Sequence, residues 1–284
     1  MSARRPAGNV TIRRMTRQDL EIALSWAAAE GWNPGRNDAE CFSAADPNGL
    51  LIGILNEEPV VSLSAVAYDS GFGFLGLYIV KPEFRGLGYG VQLWKAGMDY
   101  LGTRTLGLDA VLEQRRNYEK WGFAVAYRNI RHEGVGGGEV PAGITPLSKI
   151  DFDELTGYDR SLFASRRSAF LGGWIIQPGA TAVAKLRGGK LVGYGVMRPC
   201  LQGFKIGPLF ANDEAIAEEL FQAMAASGSG QPVFLDIPET NQAALALAAR
   251  HQMQPVFETL RMYNRPAPSL DVGRIYGVTS LELG

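Results

Sequence analysis

Between residues 50 and 80 the apolar positions fall into three runs, LLIGIL, VVSLSAVAY and FGFLGLYIV, separated by NEEP and DSG. Such runs of β-branched and aromatic residues bounded by turn chemistry predict consecutive strands at 50–55, 60–68 and 72–80. From 89 to 101 the pattern becomes that of an amphipathic helix. Upstream, NVTIRRM predicts a short strand, and Leu20, Ala23, Trp26 and Ala27 recur at helical spacing. Thr16 stands as the N-cap of that helix with Asp19 as its acidic partner. EGWNPG (30–35) breaks the helix, and Asn37-Asp38 opens a second one. After residue 101 the pattern predicts a strand at 105–112, a short helix at 116–121 and a strand at 123–131.

EGVGGGEVPAG (133–143) is rich in glycine with little to bury, and predicts a linker. The same order of elements then recurs. Helical stretches are expected at 152–158 and 165–171, and a hairpin pairs 181–186 with 191–197 across RGGK. A strand in FKIGPLF, a helix at 213–225, a strand in PVFLDI, a helix at 241–252 and a strand in PVFETLRMY complete the second half. The expectation is an α/β (α+β) chain of two similar units, 1–135 and 136–284, each a mixed, mostly antiparallel sheet flanked by helices. The other reading is a single α/β domain with long decoration. The halves differ at one place. Between strand and helix the first has VKPEFRGLGYG, where the second has GPLFANDEA.

Backbone N–H groups at a helix start are unpaired and lie at the positive end of its dipole, so a diphosphate docks there if no Cβ blocks it. Gly86, Gly88 and Gly90 supply that opening. No G-x-x-x-x-G-K-[ST] run occurs, and G-x-G-x-G after the fourth strand of a mostly antiparallel run is the wrong context for a dinucleotide fingerprint.

Charge and composition narrow the chemistry. With 28 basic and 29 acidic residues the formal charge is −1, which favours neither a nucleic-acid nor a membrane partner. No apolar run approaches the ~20 residues of a membrane span, and the N-terminus lacks the apolar core of a secretory signal. Two cysteines, Cys41 and Cys200, make no disulfide framework and suit a cytoplasmic protein. Two histidines, His132 and His251, exclude a multi-histidine metal site. Both are expected on the surface, and no metal is expected.

Arg85-Gly86-Leu87-Gly88-Tyr89-Gly90 matches [QR]-x-x-G-x-[GA] and stands five residues after the strand end at Val80. NYEKWGF (117–123) follows at the corresponding later position. Together these resemble the GCN5-related N-acetyltransferase (GNAT) superfamily, and the layout of the second half resembles a two-domain subgroup whose second GNAT-like domain has lost its cofactor loop. The resemblance implies acetyl-CoA as cosubstrate. Arg85, Gly86, Leu87, Gly88, Tyr89 and Gly90 would hold the pyrophosphate, Tyr78, Ile79 and Val80 would meet the pantetheine arm through backbone, and Asn117 would lie near the cofactor.

Tyr118 corresponds to the family tyrosine that protonates the departing thiolate. The fourth strand carries no carboxylate to act as base, and Val111 replaces the family's asparagine seven residues before the tyrosine. Asp109 and Glu113 are the nearest acidic candidates; a water relay or a group from the second half are the alternatives. Trp32 and Asn33, in a loop that borders the acceptor in the family, are expected to bind substrate. In the second half Asp159, Arg160, Arg166, Arg167 and Arg198 are named as pocket-lining candidates. The implied activity is N-acetyl transfer to the primary amine of a small molecule or peptide. The alternatives are a CoA-binding regulatory module without turnover and a tandem acyl- or aminoacyl-transferase acting on a peptide.

Overall fold

A computed structural model describes residues 8–284. The first half contains β1 (Thr11–Arg14), α1 (Arg17–Ala29), α2 (Asp38–Ala45), β2 (Leu50–Leu55), β3 (Glu58–Ala67), β4 (Phe72–Val80), α3 (Tyr89–Leu101), β5 (Thr105–Val111), α4 (Arg115–Glu119) and β6 (Ala124–Val135). The second contains β7 (Ile144–Pro146), α5 (Phe152–Arg160), α6 (Ser168–Trp174), β8 (Thr181–Arg187), β9 (Lys190–Pro199), β10 (Phe204–Ala211), α7 (Glu214–Ser227), β11 (Pro232–Pro238), α8 (Gln242–Arg250), β12 (Gln254–Tyr263) and β13 (Ile275–Gly277). The capping box expected at the start of α1 is present: the Thr16 hydroxyl accepts from the Asp19 backbone N–H, and the Asp19 carboxylate accepts from the Thr16 N–H.

All strands join one sheet, in the order β1-β2-β3-β4-β5-β12-β6-β11-β10-β9-β8-β7, with β13 paired to β10. The mixed, mostly antiparallel character expected of each half is found, but the halves exchange their last strands. β12 enters the first half between β5 and β6, with Arg261 opposite Asp109 and Tyr127. β6 in turn pairs β11, with Arg131 opposite Asp236. This shortens the expected linker: residues 133–135 continue β6, hydrogen-bonded on the β11 side, because a strand flanked by two others gains pairing by lengthening.

The halves also share a core. Leu20, Phe42, Leu77 and Ile79 pack in one cluster with Leu171, Trp174, Tyr194 and Leu283. Three buried arginine–aspartate pairs join the halves: Arg131–Asp236, Arg198–Asp38 and Arg261–Asp109. Thus Arg198 lies in the core, stacked on Trp174, while Arg167 and Asp159 pair with each other out of solvent. None of the five charged candidates of the second half lines either cavity described below. His132 is buried in β6 rather than exposed, its Nδ1 against the Ile130 carbonyl.

Arg131 and Asp236 form two hydrogen bonds, of 2.7 and 2.9 Å. Removing one member of a buried pair strands the other charge, at a cost of ~3–5 kcal/mol, whereas an apolar replacement of both can be neutral. Asp236→Ala is therefore expected to lower stability by about 3–5 kcal/mol, and Arg131→Met with Asp236→Leu to recover most of it. Urea midpoints of the three proteins check this; equal losses in single and double variants would contradict it.

Candidate active site

β4 and β5 run parallel and paired only from Phe72–Leu75 against Thr105–Leu108. Beyond Leu108 they splay, while β4 stays paired to β3 on its other side through Ile79 and Val80. On the β5 side the backbone of residues 76–80 therefore faces a gap. Leu77 sits in the gap at φ +46°, a left-handed conformation costly for a leucine, and its carbonyl accepts from the Ser62 hydroxyl at 2.7 Å.

A groove of about 630 Å³ opens from this gap. Tyr78, Ile79 and Val80 line one side; Arg85, Gly86, Gly88 and Gly90 line its end; Asn117 and Tyr118 line the other side. Gly86 and Gly88 take φ of +75° and +89°, which glycine adopts without a Cβ penalty. Gly88 is the N-cap of α3 and no side chain caps this helix, nor does an acid occupy its first turn. Gly90 serves a different purpose. A Cβ there would come within 2.6 Å of the Tyr78 hydroxyl and 2.9 Å of Val80, so its absence lets the helix start close against the strand. The side chains of Leu87 and Tyr89 point away: Leu87 packs against the core and Tyr89 is buried edge-on to Phe84. Arg85 donates to the Val80 carbonyl and pairs with Glu30 across the groove mouth. These features fit a diphosphate-bearing ligand such as acetyl-CoA: an uncapped helix start, left-handed glycines and a long groove.

The second half has no such opening. The N-terminus of α7 is capped by Asp213, whose carboxylate accepts from the Ile216 N–H, with Glu214 in the first turn. β10 and β11 pair over Phe204–Ile206, and beyond that β13 hydrogen-bonds to β10 and fills the place where they diverge.

A smaller cavity of about 60 Å³ lies deeper between β4 and β5. It shares Trp32, Tyr78, Trp94, Val111, Gln114 and Tyr118 with the groove, so the two meet at Tyr118. Tyr118 packs against Trp94 and Phe123. Burial, with Tyr78 adding a smaller effect, holds its phenol above the usual range, so it is protonated at neutral pH. Burial likewise pushes Tyr78 up to about 12.

The acidic candidates fare differently. Asp109 lines the inner cavity, but Arg261 holds both its oxygens at 3.0 and 2.7 Å and Asn129 donates to one of them at 2.8 Å. Glu113 is exposed in the turn Leu112–Gln114 and lines neither cavity. Trp32 faces the junction of groove and cavity. Asn33 turns outward at φ +51° and exchanges two hydrogen bonds of 2.9 Å with the backbone of Gln202. The Trp32 carbonyl accepts from Arg131 and Lys205, so the second half positions this loop.

The second half supplies four lining residues that were not anticipated: Phe257 and Thr259 on β12, and Leu281 and Glu282 beyond β13. Only the lone acid in the apolar SLELG stretch offered a signal. Among the described residues no cluster of three His, Cys, Asp or Glu side chains could hold a metal ion, and no helix is long and apolar enough to cross a membrane.

Comparison with known proteins agrees with the fold. A family model described as "Acetyltransferase (GNAT) family" matches residues 15–123, and one described as "Acetyltransferase (GNAT) domain" matches residues 155–277. A curated relative from Pseudoalteromonas sp. (strain SANK 73390), holothin acyltransferase, is 31% identical over 270 residues, covering 94% of this chain and 92% of the relative. A solved structure from Pyrococcus horikoshii superposes with a TM-score of 0.84 at 24% identity, over 97% of this chain and 96% of that one. The tandem GNAT protein from the clavulanic acid biosynthesis pathway superposes at 0.63 with 15% identity, over 91% and 99%. The fold and these matches thus define an acyltransferase built from two related units. The chain belongs to the GNAT acetyltransferase family.

Proposed function

We propose that this acyltransferase moves the acetyl group of acetyl-CoA to the primary amine of a small molecule by direct attack. The observation that carries this reading is the meeting of a diphosphate-compatible groove and a deeper, mostly apolar cavity at one protonated phenol, Tyr118. In this reading residues 1–135 supply the cofactor groove through the backbone of residues 78–80 and 85–90, with Asn117 at its side. Residues 136–284 supply part of the acceptor wall, and only the first half binds CoA. Acetyl-CoA supplies an activated acyl carbon, and Tyr118 gives its proton to the departing sulfur. Asp109 serves as a structural partner of Arg261, and Glu113 stays outside the chemistry. The small inner cavity supports a small-molecule acceptor over a peptide, and the absence of surplus positive charge fits neither RNA nor membrane.

Tyr118→Phe tests this. The hydroxyl matters as charge develops on sulfur, so kcat should fall by roughly 10²-fold or more. Acetyl-CoA affinity should stay within about threefold of the parent, since only the hydroxyl is removed. Thiol release over an amine panel and calorimetry measure the two. A variant as fast as the parent would make Tyr118 a packing residue, and tight CoA binding by the parent without turnover would favour a CoA-sensing module.

A further inference from the structure

We infer that Glu282, delivered from the other half of the chain, receives the acceptor amine and takes its proton, and that the acceptor is a compact monoamine with an apolar body. The inference rests on the acetyl-transfer reading above. After β13, residues 278–284 leave the second half and cross the first. The Val278 N–H donates to the Asp236 carbonyl at 2.9 Å, Arg167 donates to the Thr279 hydroxyl at 2.7 Å, and the Tyr68 hydroxyl donates to the Leu283 carbonyl at 2.8 Å. The crossing point is Gly76. A Cβ on Gly76 would lie 1.9 Å from the Glu282 carbonyl oxygen, so only glycine lets the segment lie against β4. A strand without any carboxylate of its own thereby gains one from 206 residues later in the chain.

Glu282 is 4% exposed, it lines the inner cavity with Tyr118, and its Oε2 is buried without a hydrogen-bond partner among the described residues. A buried polar oxygen left unpaired is costly, more so when charged, and calls for a reason. The Thr259 hydroxyl, in the same cavity, is also buried and unpaired. An amine nitrogen carries the donors that both oxygens lack. The alternative is that Glu282 only balances buried charge, because it acts electrostatically on Arg131, Arg198 and Lys205. Two of those cations already have aspartate partners, and Lys205 donates to the Trp32 and Asn33 carbonyls. None of these groups contacts Glu282 by a hydrogen bond. Apart from the engaged Asp109, Glu282 is the one acid on a wall otherwise formed largely by Trp32, Leu77, Leu108 and Phe257. Such a wall suits one nitrogen on an apolar body and leaves the further charges of a polyamine unpaired.

The step balances. The amine nitrogen bonds to the acyl carbon, the carbon–sulfur bond breaks, the N–H proton passes to the Glu282 carboxylate, and the sulfur takes the Tyr118 proton. Exchange with solvent then resets both groups, leaving amide and free thiol.

The test measures thiol release from acetyl-CoA with ethylamine, propylamine and isopropylamine, whose size suits a cavity of about 60 Å³, against spermidine and a tetrapeptide, alongside acetyl-CoA calorimetry. Turnover is expected with at least one monoamine and at least tenfold slower with spermidine and the peptide. Glu282→Gln should lower kcat/KM by about 10²-fold or more and remove the acidic limb of the kcat/KM–pH profile, with acetyl-CoA affinity unchanged. Glu282→Asp should keep that limb at a reduced rate, which separates base chemistry from folding. Thr259→Val should raise KM for the amine more than it lowers kcat. Failure of the parent to bind acetyl-CoA would overturn the groove reading itself. With binding intact, the Glu282 assignment is overturned by no monoamine turnover, by a glutamine variant of parental rate and pH profile, or by one whose activity falls only in step with lost stability.

Discussion

Residues 1–135 expressed alone are expected not to fold, although they hold the whole lining of the groove and nearly every motif of the family. Among the described residues β6 is paired only by β11 and β12, both from the second half. The fragment therefore leaves β6 without a partner and β5 with an open edge, both templates for aggregation. It also strands two buried carboxylates. Asp109 loses Arg261 and Asp38 loses Arg198, and both aspartate side chains are wholly out of solvent. At ~3–5 kcal/mol for each broken buried pair, the combined loss is comparable to the ~5–15 kcal/mol that holds a typical domain together. Co-expression of 136–284 is expected to restore a soluble complex that binds acetyl-CoA. Solubility, cooperative melting and calorimetry of the fragment decide the matter. A soluble, cooperatively folded fragment with full-chain affinity for acetyl-CoA would show that the strand exchange is dispensable.

Gly88→Glu is expected to abolish acetyl-CoA binding while the fold survives. Gly88 caps α3 from the left-handed region, so any side chain costs about 1–2 kcal/mol there. Glutamate adds a carboxylate at the helix start where a diphosphate would dock, and like charges compete for the same N–H groups. A Kd raised by 10²-fold or more is the expected result, against a smaller rise in Gly88→Ala, which carries the strain without the charge. The melting temperature of both variants should drop by only a few degrees, because the loop is exposed and one kcal/mol shifts a chain this long by ~2–4 °C. Affinity within threefold of the parent in Gly88→Glu would remove the loop from the cofactor site.

The element order was legible before the structure because each strand and helix writes its period into consecutive residues. LLIGIL and FGFLGLYIV occupy β2 and β4 at the expected bounds, and the helix expected at 89–101 is α3. The capping box at Thr16 and Asp19 was legible for the same reason, since both members lie within one turn. The groove glycines announced themselves because left-handed backbone and close approach select glycine locally. Asn33 misled: a loop asparagine at φ +51° shapes the turn and bonds to Gln202, which from sequence is indistinguishable from one that faces a substrate. Gly76 misled differently, reading as a place without a carboxylate when it marks where one arrives.

By itself, then, the sequence determined the repeated α/β plan, the single glycine loop and the position of Tyr118, all set by residues near one another in the chain. Only the tertiary structure decided that β12 lies between β5 and β6, that β13 closes the second half, and that Glu282 and Tyr118 line one cavity. The physical reason is the same in each case. Backbone N–H and C=O groups are alike in every strand, so local pattern says that a strand must pair but not with which partner. That choice is made by long-range burial: Arg261 reaching Asp109, Arg131 reaching Asp236, and a glycine leaving room for the end of the chain.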